Sequence, residues 1–219
     1  MAGPTKVVAV VLAGGDAPPA GVAARVPPAD LVIAADSGLG LAQQLRLSVD
    51  LVVGDLDSVD HAELTAAVAG GAEVERHPPE KDATDLELAL DAACTRGATH
   101  ITIVGGHGGR LDHFVANVLL LAAPHYGDVS IDGWVGTAHV VVIRGEARLT
   151  GDEGSLVTLL PAGGAAEGVQ TDGLRYPLRG ETLAPGSTRG VSNEFVGTSA
   201  SVSLTSGVLL AISPHRSED

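Results

Sequence analysis

Carboxylates recur at the ends of short apolar runs in this chain, and they are the residues best suited to chemistry. Asp55 and Asp57 follow Leu51-Val52-Val53-Gly54 and are separated only by Leu56. In an extended chain, residues two apart project to the same side. Two bare carboxylates held that close repel unless a cation or a proton lies between them. Hard divalent cations, Mg²⁺ above all, are held this way beside substrate phosphates. Gly54–Ser58 also has the composition of a plain polar turn, and the pair alone does not separate the two readings.

Three further clusters bear on that choice. Asp36-Ser37-Gly38 closes a second apolar run. Lys81-Asp82-Ala83-Thr84-Asp85 precedes a helical stretch, and Asp82 and Asp85, three apart, can share one face of its first turn. Such a pair either faces a ligand or caps the helix, with Asp82 as N-cap and Asp85 against the dipole. Gly105-Gly106-His107-Gly108-Gly109 precedes Arg110, Asp112 and His113. A glycine-rich turn before a helix suits a phosphate cradle using Gly106 and Gly109, although its spacing matches neither common phosphate-loop motif. Arg110 at its end has the fork geometry for phosphate oxygens. His113 could be a base or a ligand, but taken singly it reads better as a structural histidine. Several carboxylates with one lysine and one arginine suit metal–nucleotide chemistry, in which phosphoryl transfer is organised by Mg²⁺ and cationic side chains. No Ser-His-Asp or Cys-His constellation is present, and Cys94 sits within an apolar helix face where an inert thiol is expected.

Elements of two periods must position these clusters. Apolar runs at 7–13, 30–35, 51–53, 74–77 and 100–104 read as strands buried on both faces. Between them, 39–47, 60–70, 84–94 and 111–123 carry helical spacing. The alternation predicts an α/β domain with a mainly parallel sheet, and each polar cluster falls at a strand's carboxyl end, where ligands bind in such folds. From about residue 125 the pattern changes to short strands at 129–131, 138–143, 147–149, 155–161, 182–183, 199–204 and 208–212, with no helix between them. This predicts an all-β, sandwich-like C-terminal domain. The expected domains are 1–125 and 126–219, with the boundary inside 124–145. Residues 214–219 read as a frayed tail.

The totals narrow the function classes. At 219 residues, 45% hydrophobic and 18% charged, the chain is globular. No apolar run reaches the roughly 20 residues of a membrane span, and 7–13 reads as a first strand rather than a signal peptide. A net charge of −14 argues against a nucleic-acid partner but not against a small phosphate ligand. One cysteine excludes an internal disulfide and fits a cytoplasmic location. Trp134, within Gly133–Gly136, falls where a more polar turn is expected.

Together these motifs resemble the thiamine pyrophosphokinase family. The resemblance rests on Ala35–Gly38, Gly54–Ser58, Lys81–Leu90, Gly108–His113, Gly173–Leu178 and Gly190–Glu194, in family order over nearly the whole chain. It implies an α/β ATP-binding catalytic domain followed by a thiamine-binding β-sandwich, in a homodimer with active sites at the subunit interface. The implied reaction moves the β,γ-diphosphoryl group of ATP to the hydroxyl of thiamine and releases AMP. Carried over by motif, Asp55, Asp57 and Asp85 hold Mg²⁺, and Asp36 and Asp82 support them. Lys81 and Arg110 contact phosphates, with Asp112 orienting the loop or assisting the metal. Asp36-Ser37-Gly38 and the glycine-rich loop with Gly106 and Gly109 belong to the nucleotide site. Tyr176, Ser192 and Asn193 lie against thiamine, with Tyr176 the aromatic available to a cationic thiazolium. Asp57 and Asp85 are the alternatives for the carboxylate that takes the alcohol's proton.

Two other functions compete. One is a pyrophosphokinase for another hydroxyalkyl heterocycle, such as a pterin. The other is a nucleotide-binding sensor with no turnover.

Overall fold

β1, Val8–Ala13, runs through the middle of a parallel sheet because both of its faces are covered: Ala9 to Leu12 have no solvent exposure. β2 (Leu31–Ala35), β3 (Leu51–Gly54) and β4 (Glu73–Arg76) extend the sheet on one side. β5 (His100–Gly105) and β6 (Ser130–Val135) extend it on the other, in the order β6-β5-β1-β2-β3-β4. Every pairing in this series is parallel. β4 is an exposed edge strand, and its Glu73, Glu75 and Arg76 give that edge the charge that discourages pairing with another chain.

The connecting helices are α1 (Leu39–Leu45), α2 (His61–Ala69), α3 (Asp85–Thr95) and α4 (Leu111–Leu120). α3 packs over β1, β2 and β3 through Leu86, Ala89, Leu90 and Ala93, the one-face spacing of an amphipathic helix. α1 is shorter than expected because Arg46 turns left-handed, φ 57°, and closes it.

The structure, a computed structural model, describes residues 6–214. It divides into two compact units: the chain up to Asn117 together with Asp128–Gly136, and Val118–Gly127 together with the chain from Thr137 onward. β6 therefore belongs with the parallel sheet. This corrects the expectation for Trp134, which lies in β6 rather than a polar turn. It is 7% exposed, in a core with Leu12, Val22 and Val104, and Arg25 lies 5.1 Å from its ring centroid.

The second unit is built from antiparallel pairs. β7 (Ala138–Ile143), β9 (Leu156–Pro161), β12 (Asn193–Glu194) and β14 (Leu209–Pro214) run in the order β12-β9-β14-β7. β8 (Glu146–Thr150), β10 (Ala166–Asp172), β11 (Arg179–Leu183) and β13 (Ser199–Ser203) form a four-stranded sheet, β11-β10-β13-β8. Val157, Leu159, Val169, Leu178, Phe195 and Val202 fill the core of this sandwich-like unit. β10 was not expected from sequence, and a short 3-10 turn, Pro124–Tyr126, falls in a stretch expected to lack helix. Pro214 ends β14, and the rest of the expected frayed tail lies outside the described residues. Among the described residues no helix is long and apolar enough to cross a membrane.

Candidate active site

Gly54 ends β3 with φ 146°, and beyond it the chain leaves the strand. Asp55 and Asp57 are therefore not brought together by strand alternation, as the sequence suggested. Leu56 between them is left-handed, φ 65°, and the Asp57 N–H donates to Asp55 Oδ1 at 3.1 Å. This side-chain turn holds both carboxylates at the strand's end. Arg76, level with Gly54 on β4, donates from Nη1 to the Asp55 carbonyl at 3.1 Å. Sequence reasoning missed Arg76; its place beside Gly54 follows only once the β3–β4 register is known.

Asp36 joins the same cluster from the end of β2. It too is left-handed, φ 45°, and is 9% exposed. Asp36, Asp55 and Asp57 each offer a carboxylate oxygen within 4.8 Å of the others. Asp36 Oδ1 is buried with no hydrogen-bond partner. Burial pushes the Asp36 carboxyl above the usual range, and the charges of Asp85, Asp55 and Asp57 push the same way against a hydrogen bond from the Ser37 backbone. An orphaned buried oxygen beside two further carboxylates costs free energy unless a cation is bound. The all-oxygen donor set fits a hard divalent cation.

Lys81 and Asp85 complete this end of the sheet. Lys81 Nζ lies 2.5 Å from Asp85 Oδ1 and 3.6 Å from Asp55 Oδ2, with only 12% of the lysine side chain exposed. Burial opposes the ammonium charge, but the hydrogen bond and charge of Asp85, with Asp55, outweigh it and raise the lysine above its ordinary value. Asp55 is held low, first by the Asp57 N–H and then, against burial, by Lys81. Thr84, not Asp82, caps α3: its Oγ1 accepts from the Glu87 N–H at 3.2 Å. Asp85 thus enters the first turn with its carboxylate turned to Lys81, and Asp82 is exposed.

Of the expected nucleotide residues, Ser37 is exposed on the 3-10 turn that continues β2, and Gly38 is buried. Gly105 closes β5 with φ 100°, and a Cβ there would meet the Ala13 carbonyl at 2.0 Å. Gly106, Gly108 and Gly109 also have positive φ, and the Gly106 N–H donates to Gly14 O at 3.0 Å. Arg110 is forked onto Asp112, Nε to Oδ1 at 3.1 Å and Nη2 to Oδ2 at 2.6 Å, and both side chains are exposed. Arg110 holds the Asp112 carboxyl down to about 2. His113 is exposed at the start of α4. The structure brings Asp36, Asp55, Asp57, Lys81 and Asp85 together, while Arg110 and Asp112 are joined to each other.

In the second unit, Tyr176 is 49% exposed, and Asn193 at the start of β12 is 3% exposed. The Asn193 amide bonds the Tyr176 backbone in both directions. Ser192 beside it is exposed and left-handed, φ 56°, and its N–H donates to Thr158 Oγ1 at 3.1 Å. Among the described residues four non-glycine residues have positive φ, and three of them are Asp36, Leu56 and Ser192. Strain of this kind gathers at ligand sites, and residue types alone carry little signal for it.

Residues 24–131 match the family described as thiamin pyrophosphokinase, catalytic domain. Residues 139–209 match thiamin pyrophosphokinase, vitamin B1 binding domain. The chain is 30% identical over 161 residues to the thiamine pyrophosphokinase of Bacillus subtilis, covering 73% of this chain and 75% of that one. The crystal structure of the Bacillus subtilis thiamine pyrophosphokinase superposes with a TM-score of 0.83 at 26% identity, over 97% of this chain and 100% of the other. That of Geobacillus thermodenitrificans gives 0.77 at 27% identity, over 97% and 99%.

Proposed function

Since the chain belongs to the thiamine pyrophosphokinase family, we propose that it transfers the β,γ-diphosphoryl group of ATP to the hydroxyethyl oxygen of thiamine, with Mg²⁺. The observation that carries this reading is the carboxylate cluster at the ends of β2 and β3, with Asp36 Oδ1 orphaned and Lys81 wedged beside it. In the proposed site Asp55, Asp57 and Asp85 hold Mg²⁺, and the geometry adds Asp36 to them. Bound there, the metal supplies charge neutralisation for the ATP phosphates.

The chain's own groups do the rest. Lys81 and Arg110 bind phosphate oxygens, Lys81 as a point charge and Arg110 as a fork. Asp112 holds Arg110 at the end of the glycine-rich loop, where Gly106 and Gly109 let backbone approach phosphate, beside Ser37 and Gly38. Asp82, exposed just ahead of α3, supports the carboxylate cluster. Tyr176 and Ser192 face thiamine. The thiamine oxygen forms a bond to the β-phosphorus as the bond from that phosphorus to the α,β-bridging oxygen breaks, and AMP leaves. The alcohol's proton passes to one of the carboxylates beside the phosphates, Asp57 or Asp85. A homodimer with active sites at the subunit interface, and a cytoplasmic location, belong to the same reading; the first rests on family kinship, the second on the single cysteine.

The test is chromatographic detection of AMP with ATP, Mg²⁺ and a panel of alcohols. Thiamine-dependent AMP is expected. AMP formed with a pterin alcohol but not with thiamine would overturn the substrate, and ATP binding with no AMP at saturating thiamine would indicate a sensor.

A further inference from the structure

Asn193 spends its side chain inward. Its Oδ1 accepts from the Tyr176 N–H and from the Glu194 N–H, each at 2.9 Å, and its Nδ2 donates to the Tyr176 carbonyl at 2.8 Å. At 3% exposure the amide has little surface to offer a ligand. Tyr176, by contrast, sits on an irregular segment with half its surface free. The segments around the two residues are joined at several further points. The Arg175 N–H donates to Glu194 O at 2.9 Å, Arg175 Nη1 pairs with Glu194 Oε2 at 2.7 Å, and Leu174 bridges Phe195. An exposed ring on a non-repetitive backbone has no ladder of its own to fix it. The buried amide supplies one, and a primary amide is the compact side chain that offers both a donor and an acceptor to one residue's backbone.

We propose that Asn193 is a positioning residue: it fixes the backbone of Tyr176, and through it the ring that meets the cationic substrate, without touching that substrate. This rests on the reading that thiamine binds at Tyr176, and it changes the role of Asn193 from substrate contact to support. The Arg175 guanidinium lies 5.8 Å from the Tyr176 ring centroid, so part of the ring's cation-binding surface already has a neighbour. The angle at which Tyr176 is held then decides how much of the ring is left for a second cation.

The test is Asn193→Asp, with Asn193→Ala and Tyr176→Ala alongside, in steady-state assays of the full-length protein with thermal melts to check folding. An ionised aspartate only accepts, so one of its oxygens would face the Tyr176 carbonyl; protonated, it donates again. For Asn193→Asp at about pH 8, KM for thiamine should rise on the order of tenfold, as loss of one buried hydrogen bond implies. KM for ATP and kcat should stay within about twofold of wild type. Asn193→Ala should show the same selective rise in KM for thiamine. On a Tyr176→Ala background, Asn193→Ala should change KM for thiamine little further. Equal losses for both substrates, or full additivity with Tyr176→Ala, would overturn the inference. No thiamine-dependent AMP from the wild type would instead remove the functional reading on which it rests.

Discussion

Lys81 and Asp85, one helical turn apart across the start of α3, are joined at 2.5 Å, and the same ammonium lies 3.6 Å from Asp55. The acidic cluster is therefore partly neutralised by a cation of its own chain. Two unit charges about 4 Å apart interact by about 4 kcal/mol at an effective dielectric of about 20, so the competition with an incoming cation is appreciable. Lys81→Met should bind Mn²⁺ or Mg²⁺ on the order of tenfold more tightly when no nucleotide is present, a gain of about 1.4 kcal/mol. It should also melt lower in EDTA, because the carboxylates lose their internal partner, and show a higher KM for MgATP. Calorimetric titration with the metal alone checks this; unchanged metal affinity would show that Lys81 does not compete for the site.

Asp57 is exposed and bonded mainly within its own turn, to Ser58 Oγ at 2.9 Å and through its N–H to Asp55. Asp57→Asn should therefore lower kcat by at least about a hundredfold, as losing a metal ligand or proton acceptor does. Its melting temperature should stay within about 2 °C of wild type, since exposed substitutions change stability by about 0.5 kcal/mol or less. Paired turnover and melting measurements decide it. Near-normal turnover would remove Asp57 from the reaction.

Cys94 is half-buried on α3, and burial, helped by the charge of Asp91, pushes its thiol above the ordinary value of 9.0. A raised pKa means less thiolate at neutral pH, so alkylation of the folded protein should be slow at about pH 8 and accelerate only well above it. By the same sign, the group favours the fold below its ordinary pKa, and that contribution is lost as the pH rises through the raised value. Reaction with a coloured disulfide reagent in buffer and in urea measures both. Equal rates in the two would contradict the burial.

The parallel half was legible because its strands are continuous apolar runs, and β1 and β5 fall where such runs predict. β10 was not, since Ala166 and Val169 are its only buried residues and no alternation marks it. Residue types placed carboxylates at strand ends, but their arrangement depends on left-handed backbone at Asp36 and Leu56. Any side chain can be forced into that conformation by its surroundings, so the types alone carry little signal for it. The role of Asn193 was hidden for a different reason. A Ser-Asn motif reads alike whether the amide faces a ligand or a neighbouring backbone, and only the three hydrogen bonds separate the two.

Gly54 links fold and site in one residue. Its φ of 146° is one that side-chain-bearing residues rarely adopt, and a Cβ there would lie 2.9 Å from Asp85 Oδ1 and 3.1 Å from Asp36 Cβ. Gly54→Ala should therefore act twice. Backbone strain should cost about 2–3 kcal/mol and lower the melting temperature by about 5–10 °C. The added methyl should also displace Asp85 and Asp36, weakening metal binding and turnover beyond what lost stability explains. Gly71 separates the two effects, because it too has positive φ, 103°, yet a Cβ there meets nothing within 4 Å. Gly71→Ala should lose comparable stability while keeping turnover within about twofold of wild type. Melting curves, metal titrations and kcat for both variants test the pair. If the two lose turnover equally, Gly54 matters for the backbone alone and its closeness to Asp85 has no catalytic consequence.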